Sequence, residues 1–286
     1  MSTIKTVAVI GATGMLGAPV AKQLVQDGFN VRVVSRDIST AKNLFTGLTH
    51  GGHISYAQAD LGHSGQLKAA LNGVDAIYIN LSGNSPRTYY VNHVTGTQQI
   101  LAAADHANIQ LVSMISMASA YSENSFRADT NAKLQAEALI KQSGLDYLIF
   151  MPSWFMETLP LFVQKGKVMQ IGKSSQPVRW QTAKDYACIV SESIQAGVFN
   201  QRIAVVGPKA LSIDNALDLF AKHQGHPIQK MPIWLAKLIA RLTQDDGFYD
   251  VADLLQYYEK VGEITREKNK VITTTTFEQW LKEFSK

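Results

Sequence analysis

The chain has a single cysteine, Cys188, in 286 residues. One thiol excludes an intramolecular disulfide and fits a reducing compartment. No apolar run is long enough to cross a bilayer, and the first strand-like run begins at residue 5, which predicts no signal peptide. These absences predict a cytoplasmic protein without a membrane partner. Long charge runs are also missing. The formal net charge is +4, and Glu267 interrupts the densest basic stretch, Arg266 to Lys270. No cluster of Lys and Arg marks a nucleic-acid face. His223 and His226 lie at a helix end with no third ligand, and His50 and His53 flank two glycines as in a turn. No metal is expected. Internal repeats and low-complexity tracts are absent. The length allows one large core, or one core and a smaller lobe.

What is present begins with a glycine pattern, Gly11-Ala-Thr13-Gly14-Met15-Leu16-Gly17. It follows the apolar run Thr6 to Ile10 and opens a helix-like run from Met15 to Asp27. In that context the first glycine permits a sharp turn, the second lets backbone approach a pyrophosphate, and the third lets the helix pack closely. The helix N-terminus offers free N–H groups to phosphate. Strand-like segments at 5–10, 30–35, 54–58, 75–80, 109–116 and 146–151 alternate with amphipathic stretches near 14–27, 38–46, 64–72, 87–107 and 130–143. Gly28, Gly73 and Gly144 close three of these helices. Such alternation predicts an α/β fold, a Rossmann-type doubly wound parallel sheet with ligands at its carboxyl edge.

After Pro152 the rhythm changes. Helices are expected at 154–164, 183–196, 212–223, 232–243, 248–260 and 276–284, with short strands near 168–171, 178–181 and 202–206. This predicts a dinucleotide-binding domain over 1–151 and a smaller, mainly helical substrate lobe over 152–286. That lobe is not expected to fold alone, because its strands are few and short. Pro152, Trp154, Phe155 and Met156 follow the sixth strand and are expected at the substrate, or alternatively as glue between lobes. Trp180 and Tyr186 are expected to line the same cleft.

The adenosine ribose of such a site lies near the end of the second strand. Here that strand ends Val34-Ser35-Arg36. A guanidinium and a serine suit a 2′-phosphate, so NADP(H) is favoured over NAD(H). Asp37 is either a helix N-cap or a ribose ligand, with the N-cap favoured.

Several segments together carry a likeness: the glycine loop, Ala59-Asp60-Leu61, Asn92-His-Val-Thr-Gly-Thr97, Ile115-Ser116, Lys133, Met151-Pro-Ser-Trp-Phe-Met-Glu157 and Ala204-Val-Val-Gly-Pro208. In that order they resemble the NmrA-like group of the extended and atypical short-chain dehydrogenase/reductases. The resemblance implies that Asp60 and Leu61 border the adenine and that Leu81 and Ser82 run beside ribose and phosphates. It also implies that Asn92, Ser116 and Lys133 occupy catalytic positions, with Lys133 and Pro152 at the cofactor. The family's ketone reductases place a tyrosine four residues before that lysine, on the same helical face. Here Asp129 stands there, either paired with Lys133 or capping the helix. A carboxylate of ordinary pKa carries no proton to give at neutral pH. Tyr121 is either a substitute donor at the substrate or a packed loop aromatic.

Without a tyrosine, the reaction expected is hydride transfer from NADPH to a small electron acceptor that needs little proton help, such as a quinone or azo compound. The competing reading is a non-catalytic NADP(H) sensor that binds a protein partner. A sugar-nucleotide epimerase is disfavoured, because that chemistry relies on the tyrosine. A monomer or homodimer is expected.

Overall fold

The computed structural model describes residues 4–48, 51–105 and 107–284; His50 lies outside them. Two compact units divide the chain: Met1–Met151 with Ala183–Ala204, and Pro152–Thr182 with Val205–Lys286. Strand and helix alternate through β1 (Thr6–Ile10), α1 (Gly17–Gln26), β2 (Asn30–Ser35), α2 (Ile38–Leu44), β3 (Ile54–Gln58), α3 (Ser64–Leu71), β4 (Ala76–Ile79), α4 (Pro86–Tyr89), α5 (Gly96–Ala104), β5 (Leu111–Ile115), α6 (Ala128–Gln142) and β6 (Asp146–Pro152). A π-helical turn, Tyr90–Thr95, joins α4 to α5. The chain then builds β7 (Trp154–Phe155), β8 (Val163–Gln164), β9 (Lys167–Ile171) and β10 (Pro177–Gln181). It continues with α7 (Ala183–Ala196) and β11 (Gln201–Val206). The remaining elements are β12 (Ala210–Ser212), α8 (Ile213–Gln224), β13 (Ile228–Met231), α9 (Ile233–Thr243), α10 (Asp246–Val261), β14 (Lys270–Ile272) and α11 (Phe277–Phe284). Among the described residues no helix is long and apolar enough to cross a membrane.

The large sheet has the order β14-β11-β6-β5-β4-β1-β2-β3. Strands β1 to β6 pair in parallel throughout. Since β1 lies between β2 and β4, the strand order reverses there, and that reversal opens a crevice at the carboxyl ends. Register decides what meets in it. Ile10 pairs with Val34 and with Ile79, so Gly11, Ser35 and Asn80 leave their strands side by side.

Strand side chains alternate between two buried faces. Ala8, Ile10, Ile77, Ile79, Val112, Met114, Ile149 and Met151 pack with Leu67 and Leu71 of α3, Ile100 of α5 and Ile140 of α6. The alternate residues Val7, Val9, Val31, Val33, Tyr78, Leu148 and Phe150 are buried as well. Their cover includes α7, whose Tyr186 meets Phe150 edge-on at 6.1 Å and shares a 2.9 Å hydroxyl contact with Tyr78. A single cut after Met151 therefore misses the return of Ala183–Ala204 to the first unit. The apolar stripe of α7 was legible, but its period does not say which sheet it covers.

The second unit holds two three-stranded sheets, β12-β10-β7 and β13-β9-β8. Its core gathers Trp180, Leu217, Phe220, Leu255, Phe277 and Trp280. The helix expected over 154–164 is instead β7, a 3₁₀ segment Met156–Phe162 containing Pro160, and β8. Proline lacks the N–H that a continuous α-helix needs there. The Gly207-Pro208 turn is structural: a Cβ on Gly207 would lie 1.6 Å from the Trp180 carbonyl oxygen. The Arg179 guanidinium binds the carbonyls of both residues at 3.1 Å.

Candidate cofactor and reaction site

The glycine loop is built by close approach. Gly11 has φ +85°, and a Cβ there would sit 2.1 Å from the Asn80 carbonyl oxygen. A Cβ on Gly17 would sit 2.1 Å from the Gly11 carbonyl oxygen and 2.7 Å from Asn80 Nδ2. The third glycine thus lets α1 start against the loop itself. Gly14 differs, because a Cβ there meets nothing nearer than 3.4 Å.

Beside this loop lies a cavity of about 600 Å³, within the first unit. Its wall contains Gly11, Thr13 and Gly14 from the loop, Ser35 and Arg36 after β2, and Asp60 and Leu61 after β3. Leu81 and Ser82 come from the loop after β4, and Asn92 from the π-helical turn. Asn92 Nδ2 donates to the Ser82 carbonyl at 2.6 Å, tying that turn to the loop. Asn80, Thr95, Gly96 and Gln99 also line the wall. Gly96 lies within the quoted Asn92–Thr97 motif, where its missing side chain was the available signal. A Cβ on Gly96 would crowd Leu61 Cδ1 at 2.9 Å.

The polar groups at the wall are distributed unevenly. Arg36 is exposed, and its carbonyl accepts from Gln58 Nε2 at 3.1 Å. Asp37 caps α2. The Ser39 and Thr40 hydroxyls and backbone N–H groups bind its carboxylate and hold its pKa down to about 2. Asp60 Oδ1 accepts from the Gly62 N–H at 2.8 Å, so its carboxylate closes its own turn. Met15 is exposed, and neither Met15, Leu16 nor Gly17 lies on the wall.

Ser116 and Lys133 are buried away from that wall. Lys133 Nζ donates to the Ile115 carbonyl at 2.6 Å. Burial pulls its pKa down to about 7, opposed by the charges of Glu137 and Asp129. Ser116 Oγ donates to Glu137 Oε1 at 2.6 Å. Asp129 has a partner other than the two expected for it. Arg127 forks onto it, Nε to Oδ1 at 3.1 Å and Nη2 to Oδ2 at 2.9 Å. Both side chains are buried, and Asp129 also accepts from the Thr130 N–H. His93, one residue past Asn92, is buried, and burial with the nearby Lys133 charge lowers its pKa to about 2. Glu137 and His93 were not singled out in the sequence; Glu137 is one turn beyond Lys133, which was the available signal.

The residues expected at the substrate are scattered. Tyr186 is fully buried between α7 and the sheet, in the first unit, and is corrected from a cleft residue to a core residue. Met156 is fully buried and Phe155 nearly so. Met156 packs in the second unit's core, and half-buried Trp154 lies against Trp180 and Tyr258 there. Trp180 donates its Nε1–H to the Leu211 carbonyl. These are apolar anchors, because a strand leaving a sheet edge buries alternate side chains. Pro152 ends β6, buried and off the cavity wall. Tyr121 is half-buried against the first unit's core, under the Arg202 guanidinium. Among the described residues no group of three or more His, Cys, Asp or Glu is placed to hold a metal.

A family model described as NAD(P)H-binding matches residues 11–182, which takes in the glycine loop and the wall residues from Gly11 to Gln99. The chain belongs to this family. Its likeness to NmrA-like atypical short-chain dehydrogenase/reductases agrees with that membership. The NAD(P)H azoreductase of Xenophilus azovorans is 24% identical over 241 residues, 82% of this chain and 79% of that protein. The photosystem II assembly factor Ycf39 of Cyanophora paradoxa is 24% identical over 269 residues, 89% of this chain and 80% of that protein. The NADPH-dependent quinone oxidoreductase of Escherichia coli, solved with NADPH, superposes with a TM-score of 0.77 at 21% identity. That match covers 98% of this chain and all of the other. As an NAD(P)H-binding family member, the chain has a wall that suits the cofactor: Gly14 admits close approach, and Arg36 offers a cation at the end of β2.

Proposed function

We propose that this chain is an NADPH-dependent reductase of activated electron acceptors, with quinones and azo compounds as the substrate class. The observation that carries the reading is the state of Asp129. It stands where a ketone reductase keeps its proton-donating tyrosine, and it is locked by a buried Arg127. A locked carboxylate gives no proton to a ketone. A quinone accepts a hydride equivalent and draws its proton from solvent, so it needs no such residue. Reduced nicotinamide supplies that hydride equivalent when bound.

The chain's own residues hold and orient. Backbone at Gly11 to Gly14 cradles the pyrophosphate. Arg36 binds the adenosine 2′-phosphate, which selects NADPH over NADH. Asn92 braces the Ser82 loop against the cofactor's midsection. Lys133, held on the Ile115 carbonyl with its pKa brought down by burial, is the residue that would orient the nicotinamide ribose. The azoreductase and the quinone oxidoreductase support this reading as relatives of those activities.

A second reading has its own observations. Ser116 and Lys133 are spent on internal partners, and one relative is an assembly factor. On that reading the chain binds NADP(H) and signals to a protein. Freshly purified protein is mixed with NADPH and a panel of quinones and azo dyes, and loss of reduced-nicotinamide absorbance is followed. Turnover well above buffer supports the reductase. Tight NADPH binding with rates at buffer background overturns it and leaves the sensor.

A further inference from the structure

An ion pair between a buried carboxylate and a half-buried guanidinium ties α6 to β11 in the first unit. Glu137 of α6 is 2% exposed. Arg202 of β11 forms an ion pair with it at 2.9 Å, and Lys141 lies at 3.5 Å from the same carboxylate. Each member of the pair also holds one end of the segment that follows β5. Glu137 accepts the Ser116 hydroxyl at 2.6 Å. Arg202 donates to the Ala120 carbonyl at 2.6 Å, and its guanidinium sits 5.5 Å above the Tyr121 ring. Between these anchors the segment turns on itself, the Ala120 N–H donating to the Met117 carbonyl at 3.0 Å.

The segment lies at the carboxyl edge of the sheet, on the strand next to the one that leads into the cavity wall. Ile79 pairs with Met114, which brings Asn80 of the cavity wall alongside Ile115. Burying the carboxylate and much of the guanidinium costs desolvation that apolar side chains of similar size avoid, so stability alone is a poor reason for such a pair. Geometry is a better one. A guanidinium offers several donors in a rigid fork, and here it spends them on a carboxylate and a backbone carbonyl while covering an aromatic face.

We propose that the Glu137–Arg202 ion pair is the positioning device of the reaction site, holding Ser116–Tyr121 at both ends so that the Tyr121 ring forms a wall for the acceptor. Only the identity of the acceptor rests on the reductase reading. Glu137 and Arg202 are positioning residues, since they act through the segment. Ser116 spends its hydroxyl on this clamp, which gives it a duty other than donation to substrate.

The test uses Glu137→Gln, Arg202→Gln, the double variant, and the milder Arg202→Lys, which keeps the charge but loses the fork. Hydrogen–deuterium exchange of the peptide covering 116–121 is the first readout. NADPH dissociation constant and KM for a water-soluble benzoquinone are the second and third. Each Gln variant is expected to speed exchange in the segment roughly tenfold, and the double variant no further, because two parts of one clamp are not additive. In Arg202→Gln the benzoquinone KM is expected to rise about tenfold with NADPH affinity unchanged, a split that plain loss of stability does not produce. If the Gln variants do not fold, Arg202→Lys carries the test, with faster exchange at the Ala120–Tyr121 end. Unchanged exchange in folded variants overturns the clamp. Faster exchange with unchanged KM overturns the acceptor wall. If wild-type protein turns over no quinone, the reductase reading fails by itself and the exchange result still decides the clamp.

Discussion

Replacing Gly17 with alanine places a methyl carbon 2.1 Å from the Gly11 carbonyl oxygen and 2.7 Å from Asn80 Nδ2. Non-bonded carbon contacts are comfortable beyond roughly 3.5 Å, so the loop or the start of α1 must move by about 1 Å or more. The colliding carbonyl is backbone, and Gly11 has little freedom to retreat, since its own φ is +85° and Asn80 backbone lies against it. Overpacking of this kind costs about 1–3 kcal/mol, beyond any gain of up to ~1 kcal/mol from alanine's helix propensity. A net loss near 2 kcal/mol lowers the melting temperature by about 4–8 °C for a chain of this size. NADPH binding weakens with it, at least about tenfold for each ~1.4 kcal/mol of misplaced loop. Gly14→Ala is the control, because its Cβ meets nothing within 3.4 Å. It should leave the melting temperature where it is and weaken NADPH binding alone, since Gly14 lines the cavity. Calorimetry on apo protein and NADPH titration by fluorescence read the two effects separately. A Gly17→Ala protein that melts and binds as wild type refutes the close-packing argument. A Gly14→Ala protein that binds NADPH normally refutes the phosphate role of that glycine.

Arg36→Ala is expected to reduce the NADPH-over-NADH preference by about 10- to 100-fold, the equivalent of one or two charge-assisted hydrogen bonds, measured as the ratio of dissociation constants. An unchanged ratio removes Arg36 as the selector. Lys133 should make the apo protein more stable as pH rises. Burial holds its folded pKa at about 7 against an ordinary 10.5, so between those values the unfolded chain carries the additional proton. Stability then climbs by up to ~1.4 kcal/mol per pH unit from this group, and Lys133→Met should flatten that part of the urea-denaturation profile. A slope unaltered by the substitution defeats the assignment. Tyr186→Phe strips a hydrogen-bond partner from the buried Tyr78 hydroxyl, 2.9 Å away, and should cost about 1–3 kcal/mol. The Tyr78→Phe/Tyr186→Phe protein should lose less than the two single losses added together, and strict additivity would show that the hydroxyls do not act as a pair.

Much of this protein follows from local pattern. The glycine spacing after an apolar strand determines a dinucleotide loop, because Gly11 needs its left-handed φ and neither Gly11 nor Gly17 has room for a Cβ. Alternation of apolar strands with amphipathic helices determines the parallel sheet. Gly28, Gly73 and Gly144 take the positive φ that ends α1, α3 and α6. Ser35 and Arg36 come to the cavity because strand length carries them there beside Ile10 and Gly11. Tertiary structure decided what periodicity does not encode. The stripe of α7 says that one face is buried, and only packing says that Tyr186 meets Tyr78 under the first sheet. The residues after Pro152 are apolar enough for either a cleft or a core, and packing put Met156 in the core. Asp129 had its charge written in the sequence, yet its partner, Arg127, depended on how a helix start turns back on itself. Ion pairs and burial are properties of three-dimensional neighbourhood. For that reason the cofactor loop is readable from the sequence, whereas the Glu137–Arg202 pair, joining residues far apart in the chain, exists only in the fold.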